Sequence, residues 1–271
     1  MLAAALLMSV LPANAPSALQ AGADLPEAIE VRSHQGADGT EYKHLLVRPK
    51  EVKEGEKYPL VVFLHGAGER GSDPAVLAKH FFPAMLSEEY RERFPCFILA
   101  PQCPSEERWG SLDWRTGEDS GEMTDPLAAV RELVHDSLEE FPIDRDRLYL
   151  TGLSMGGYGT WDWTTREPDF WTAAAPICGA GNTEKAAQLK DLPLWVAHGD
   201  EDNAVPVERS REMVAAVVAA GGSPIYVEYP GVGHDSWTPA YGTPDGLVAW
   251  LFRQSRGSGN SKTQESKNQT P

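Results

Sequence analysis

Basic residues are scarce in this chain. Lysine and arginine number 24 against 40 aspartates and glutamates in 271 residues, a formal charge of −16. Nucleic acids and anionic membrane surfaces are bound through basic patches, so this balance argues against both as partners. Long apolar runs are also missing. Leu2–Leu11 is about half of the ~20 residues that a bilayer span requires, which argues against membrane insertion. Cysteine is rare and odd in number. Cys96, Cys103 and Cys178 allow no complete disulfide framework, and no Cys-x-x-Cys metal pattern occurs. Cys96 and Cys103 could pair in an exported protein, or all could stay as buried thiols.

The short run Leu2–Leu11 is followed by Ala13-Asn14-Ala15, a small-x-small cleavage pattern, although no basic residue precedes Arg32. Residues 1–21 read as a secretory signal peptide or a disordered N-terminus, which places the protein in the periplasm or outside the cell. At the other end, residues 255–271 are polar and lack aromatics, the composition of a disordered tail. Between them, residues 28–254 are long enough for a single domain with a large core.

Two alternating segments flank Asp38-Gly39 within residues 28–48, a hairpin signal. Short apolar runs follow at Leu60–Leu64, Phe97–Ala100, Leu148–Thr151, Ala173–Ile177, Leu194–Ala197 and Ile225–Tyr229. Runs of this kind suit strands buried on both faces of a sheet. Helical patterns lie between them. The strongest is Pro126–Glu140, with Asp125 as its expected cap and one apolar stripe through Leu127, Val130, Leu133, Val134 and Leu138. Others are expected near 75–87, 155–167, 183–190, 207–220 and 244–254. Alternating strands and helices predict an α/β fold: a mostly parallel sheet covered on both faces, with the leading hairpin as antiparallel edge strands. Residues 101–124 interrupt the rhythm as a long polar loop carrying Trp109 and Trp114. Loops of that length are commonly functional, which makes both indoles candidates for substrate binding, or else for capping the core.

Two glycine-rich stretches carry chemistry. "LVVFLHGAGERGSD" runs from a strand into Gly66, Gly68 and Gly71. That spacing matches the G-x-G-x-x-G of dinucleotide-binding turns, but Ser72-Asp73-Pro74 delays the next helix and Glu88 and Glu89 lie in a helical stretch instead of at a strand end. The alternative is a loop whose backbone N–H groups face an oxyanion. "DRLYLTGLSMGGYGTW" places Gly152-Leu153-Ser154-Met155-Gly156 between a strand and a helix, a G-x-S-x-G turn. Such a turn strains its serine and exposes the hydroxyl at the sheet's carboxyl edge. A serine needs a base, and a base needs an orienting acid. Downstream, Asp200, Glu201 and Asp202 follow the strand ending near His198, and His234 follows the last strand. The order serine, acid, histidine is satisfied by His234, while His65 and His198 precede the nucleophile or the acid. The acidic run 200–202 lacks the spacing of a calcium loop, and hydrolysis by a serine, histidine and acid requires no metal or organic cofactor.

Together "HGAGERGSD", "GLSMGGYGTWD", "PICG", "HGDEDNAVP" and "GVGHDSW" resemble the serine hydrolases of the α/β-hydrolase superfamily over about residues 40–253. The chain is most similar to exported bacterial esterases described as dienelactone-hydrolase-like or as peptidases, and to polyhydroxybutyrate depolymerases and feruloyl or acetylxylan esterases. The resemblance implies the α/β-hydrolase fold. It also implies ester hydrolysis by Ser154, Asp202 and His234, with Asp202 falling on the acid of H-G-x-x-D-x-x-V-P. Oxyanion donors would be the N–H groups of Ala67 and Met155. The substrate would be a small-molecule or polymer-linked ester, with Trp109, Trp114 and Trp237 as candidate contacts. Dienelactone hydrolase itself has a cysteine where this chain has Ser154, and the oligopeptidases of the superfamily carry a propeller domain for which this chain has no room. A peptidase or amidase using the same three residues, a catalytically silent binding module and a nucleotide-dependent oxidoreductase are the competing readings.

Overall fold

The computed structural model describes residues 25–258. The leader assigned to residues 1–21 lies outside the described residues, as does residues 259–271 of the tail. Eight strands form one sheet in the order β1-β2-β4-β3-β5-β6-β7-β8. β1 (Ile29–Gln35) and β2 (Glu41–Val47) are the expected hairpin, with Ile29 opposite Val47 and Gln35 opposite Glu41. β2 is also antiparallel to β4. β3 (Tyr58–Leu64), β4 (Phe97–Pro101), β5 (Ile143–Leu153), β6 (Ala173–Ile177), β7 (Trp195–Gly199) and β8 (Ile225–Tyr229) are mutually parallel where they pair.

The apolar runs alternate between two cores, because successive strand residues point to opposite faces. Leu60, Val62 and Leu64 join one core. Val61 and Phe63 join the other. The first core is covered by three long helices: α3 (Asp125–Glu140), α4 (Met155–Arg166) and α5 (Glu208–Ala219). The second is covered by shorter pieces. These include α1 (Phe82–Met85), α2 (Glu88–Arg93), α6 (Trp237–Gly242) and α7 (Leu247–Phe252), with Tyr241 edge-on against Phe63 and Phe81. In the first core the α3 stripe predicted from spacing is buried as a unit.

Several helix boundaries differ from expectation. The segment near 75–87 is a 3-10 turn over Pro74–Ala78 and a single α turn over Phe82–Met85, separated by His80 at φ 56°. A non-glycine residue in the left-handed region cannot continue a right-handed helix. The cap of α3 is Thr124, not Asp125: Thr124 Oγ1 accepts from Leu127 N at 3.4 Å and donates to Trp109 O at 2.7 Å. That second bond fixes the hydroxyl where the helix needs it. Residues Thr183–Leu189 form a 3-10 helix. The last helix begins at Leu247 and not at 244, because Pro244 and Gly246 occupy the approach to it.

Candidate active site

Ser154 sits between β5 and α4 with φ 54° and ψ −118°. This strained geometry is enforced by close packing. A Cβ on Gly156 would lie 1.9 Å from Leu64 O, and one on Gly152 would lie 2.4 Å from Gly156 O. Glycine at both positions lets α4 seat on the end of β3, and the serine takes up the resulting turn. Strain of this kind persists only where the surroundings over-determine it. Behind Ser154 stands the N-terminus of a twelve-residue helix, which favours negative charge.

The loops after β7 and β8 bring the acid and the base to this hydroxyl. His234 Nε2 lies 2.9 Å from Ser154 Oγ, and His234 Nδ1 lies 2.7 Å from Asp202 Oδ2. The other Asp202 oxygen accepts from Ala204 N at 2.8 Å and Val205 N at 2.9 Å. The Asp202 side chain is fully buried and that of His234 is 29% exposed. Burial pushes the Asp202 carboxyl up, but the hydrogen bonds from His234, Val205 and Ala204 outweigh it and hold the group below the ordinary carboxylate range. The acid is therefore ionised and aimed at Nδ1. Asp200 instead accepts from Gly231 N, tying the β7 and β8 loops together, and Glu201 is exposed. All these groups lie past the carboxyl ends of parallel strands, where open α/β sheets place their sites.

Ala67 and Met155, the expected oxyanion donors, each open a helical turn. Among the described residues, no acceptor meets the N–H of Met155, the first residue of α4, or that of Ala67. Ala67 opens a 3-10 turn over Ala67–Glu69, so the first two glycines of the G-x-G-x-x-G match lead into a tight turn and the third, Gly71 at φ 137°, opens no helix. That arrangement lacks the long helix N-terminus a pyrophosphate requires. His65 anchors the turn. Nδ1–H donates to Gly66 O at 2.6 Å, and Nε2 accepts from Cys103 N at 2.9 Å.

The three tryptophans separate. Trp109 is fully buried, with its indole N–H on His65 O at 3.1 Å. It has no surface to offer a ligand, and the expectation that it contacts substrate is corrected: it is a core residue beneath the loop. Trp114 is half-buried and lines a cavity of about 290 Å³ with Tyr158, Ala180, Ala204 and Arg209. Tyr158 lies one turn of α4 beyond Ser154 and Ala204 is bonded to Asp202, so the cavity is lined by neighbours of the serine and the acid and not by those residues themselves. Trp237 is half-buried with its ring perpendicular to that of His234, centroids 5.3 Å apart. Sequence reasoning passed over Glu69 and His80, which lie behind Trp237. It treated His198 only as a rival base, yet His198 touches the acid itself.

Among the described residues, one group of three side chains has metal-ligating atoms within 4.8 Å of one another: Cys178, Asp202 and His234. Asp202 and His234 already spend their facing atoms on each other, and burial pushes the Cys178 thiol up to about 12. The chemistry of this set is proton handling, with Cys178 packed behind it.

Residues 107–240 match the model of the dienelactone hydrolase family. None of the curated proteins matches the sequence. Among solved structures, a thermostable esterase is 40% identical with a TM-score of 0.80, over 85% of this chain and 64% of that one. The chain thus spans less than two thirds of that esterase. A ferulic acid esterase is 18% identical with a TM-score of 0.62, over 83% of this chain and 98% of that one. An acylaminoacyl peptidase of Pyrococcus horikoshii is 20% identical with a TM-score of 0.63, over 84% of this chain and 42% of that one. At those two identities the likeness is one of fold.

Proposed function

We propose that this chain, whose residues 107–240 match the dienelactone hydrolase family, is a serine esterase of the α/β-hydrolase superfamily that cleaves carboxylic esters through an acyl-enzyme. The observation that carries the reading is the unbroken line from Asp202 through His234 to the strained Ser154. Ser154 Oγ attacks the ester carbonyl while His234 Nε2 takes its proton. Asp202 keeps the proton of the resting imidazole on Nδ1 and stabilises the imidazolium. The carbonyl oxygen becomes an oxyanion, met by the N–H groups of Met155 and Ala67. One such donor is worth about 3 kcal/mol of barrier. His234 then returns its proton to the leaving alcohol, and water repeats the sequence on the acyl group. Every proton moved is held by a residue of this chain.

The cavity beside Trp114 is the place for the acyl or alcohol part of a small-molecule or polymer-linked ester. Its indole and Tyr158 support an aromatic or sugar-linked substrate, with acetylated polysaccharide and polyester as the other members of the class. Leu2–Leu11 and Ala13-Asn14-Ala15 support export of the enzyme.

The test is hydrolysis of short p-nitrophenyl esters by the wild type and by Ser154→Ala. Wild-type turnover and a loss of more than about 10³-fold in the variant are expected. Equal rates in the two proteins overturn the reading. A p-nitroanilide of the same acid, run alongside, tests for amidase activity with the same three residues.

A further inference from the structure

Trp237 bridges His234 to a second histidine. Its indole N–H lies 3.1 Å from His80 Nδ1, and the His80 and Trp237 rings are 5.1 Å apart at 65°. An indole nitrogen can only donate, so His80 Nδ1 must accept, and the ring's proton resides on Nε2. His80 Nε2 lies 3.4 Å from Glu69 Oε1. Glu69 closes the Ala67–Glu69 turn and is buried, and its backbone oxygen is held by Gln102 Nε2 at 2.9 Å. Its carboxylate is also close to the serine: a Cβ on Gly66 would lie 3.2 Å from Glu69 Oε2 and 3.7 Å from Ser154 Cβ. His80 itself occupies the left-handed region at φ 56°. A non-glycine residue in that conformation is uncommon and is held there by its surroundings.

We propose that Glu69, His80 and Trp237 form a strap of polar and ring contacts that keeps the His234 imidazole and the 67–69 turn in one register, with His80 as the positioning residue at its centre. The proposal rests on the esterase reading, because it assigns the strap to a base and an oxyanion donor. The physical need is plain. Ala67 lies on the loop after β3 and His234 on the loop after β8, and the two are far apart in sequence. Both must be placed to within a fraction of an ångström of one oxyanion and one hydroxyl. A misplacement of about 1 Å can cost about 10²-fold in rate. His234 has a polar partner on each ring nitrogen, but these bonds leave its plane free to tilt about the line between them. The perpendicular face of Trp237 fixes that tilt. His80 in turn fixes Trp237, and Glu69 fixes His80 to the turn that carries Ala67. The strap moves no proton of the reaction and touches no substrate.

Trp237→Phe keeps a ring beside His234 and deletes the donor. His80→Asn keeps a residue suited to the left-handed backbone and is too short to reach both partners. Turnover is measured per active serine, counted by stoichiometric release of p-nitrophenolate from a p-nitrophenyl phosphonate that bonds to Ser154 Oγ. Each variant is expected to lower kcat per titrated serine about threefold to tenfold, the effect of one orienting hydrogen bond, with KM within about twofold. The double variant is expected to be no slower than the slower single, since both cut one chain of contacts. A merely structural loss lowers the number of titratable serines and leaves the turnover of each unchanged. Unchanged kcat per serine in both singles, or losses that multiply in the double variant, overturn the strap. Where His80→Asn does not fold, Glu69→Gln replaces it in the same comparison. Failure of the esterase reading is seen separately, in the wild type against Ser154→Ala.

Discussion

His198 Nε2 lies 3.2 Å from Asp202 Oδ2, the same oxygen that His234 Nδ1 reaches at 2.7 Å. One carboxylate oxygen therefore serves two imidazoles, one buried and one at the surface of the site. His198 Nε2 also faces Val205 O at 2.9 Å, and Nδ1 faces Ser210 Oγ at 2.7 Å. A carbonyl only accepts, so Nε2 carries the proton. Burial lowers the His198 pKa, against the raising effect of Val205 O and Asp202, and keeps the ring neutral. The acid is locked from both sides: Oδ1 by two backbone N–H groups, Oδ2 by two rings.

This locking makes the outcome of Asp202→Asn specific. Ala204 N and Val205 N require an oxygen at the Oδ1 position. The amide nitrogen is then forced to the Oδ2 position, where it donates to His234 Nδ1. The imidazole proton moves to Nε2 and faces Ser154, which can no longer be deprotonated by it. A fall in kcat of about 10³ to 10⁴-fold is expected, with an unchanged circular dichroism spectrum. Near-wild-type turnover in this variant transfers the acid role to Asp200 or Glu201.

The two glycine motifs should respond differently to a single methyl group. Gly156→Ala places Cβ 1.9 Å from the Leu64 carbonyl, backbone against backbone, with no side chain free to yield. A loss of more than about 3 kcal/mol is expected in urea unfolding. An added Cβ on Gly68 meets nothing within 4 Å, so Gly68→Ala should stay within about 0.5 kcal/mol of the wild type. A large loss at Gly68 would show that the loop does require the full G-x-G-x-x-G spacing.

The sheet was legible because its central strands are buried on both faces, which leaves unbroken apolar runs between helical patterns. The serine turn was legible because crowding against Gly156 O and Leu64 O permits only glycine at Gly152 and Gly156, and that requirement is written into the spacing of the turn itself. What failed was non-local. Trp109 lies in a polar loop but drops its ring beneath it, where His65 O satisfies the one polar atom. Nothing near residue 109 announces that partner. His80 breaks an expected helix through a backbone angle that histidine does not signal. Chain order singled out His234 over His198, but order says nothing of which groups lean on the acid. Glu69, His80 and Trp237 come from three separate segments, and only folding brings them into line.

All three cysteines are buried as free thiols, which settles the choice left open between a Cys96–Cys103 bridge and unpaired sulfurs. Burial pushes Cys96 and Cys178 up to about 12 and Cys103 higher still. Protonated, inaccessible thiols are poor nucleophiles. The native protein is expected to release no thionitrobenzoate from Ellman's reagent over the time in which the unfolded chain releases three equivalents, and dithiothreitol should leave Tm unchanged. A Tm that drops with reductant would reveal a bridge.

Acid sensitivity should begin well above the carboxylate range. Burial is the leading cause that lowers both His44 and His65 to about 4, from an unfolded value near 6.5. The His65 ring is built for the neutral state, since a proton on Nε2 would point at the N–H of Cys103. Between those pH values the unfolded chain binds protons that the folded chain refuses. The stabilisation from these neutral rings is thus complete above about pH 6.5, weakens as pH falls, and is gone below about 4. Each histidine contributes a slope of at most about 1.4 kcal/mol per pH unit. Asp113 and Asp119, both lowered to about 2, lose their contribution only as pH falls below the ordinary carboxylate value. The window from 6.5 to 4 therefore reports the histidines. Urea unfolding between pH 7 and pH 4.5 should show a steady fall in stability. His44→Leu, which also removes a buried Nδ1 without a partner, should make that fall shallower. A stability that is flat across this window would mean that neither ring resists its proton in the folded state.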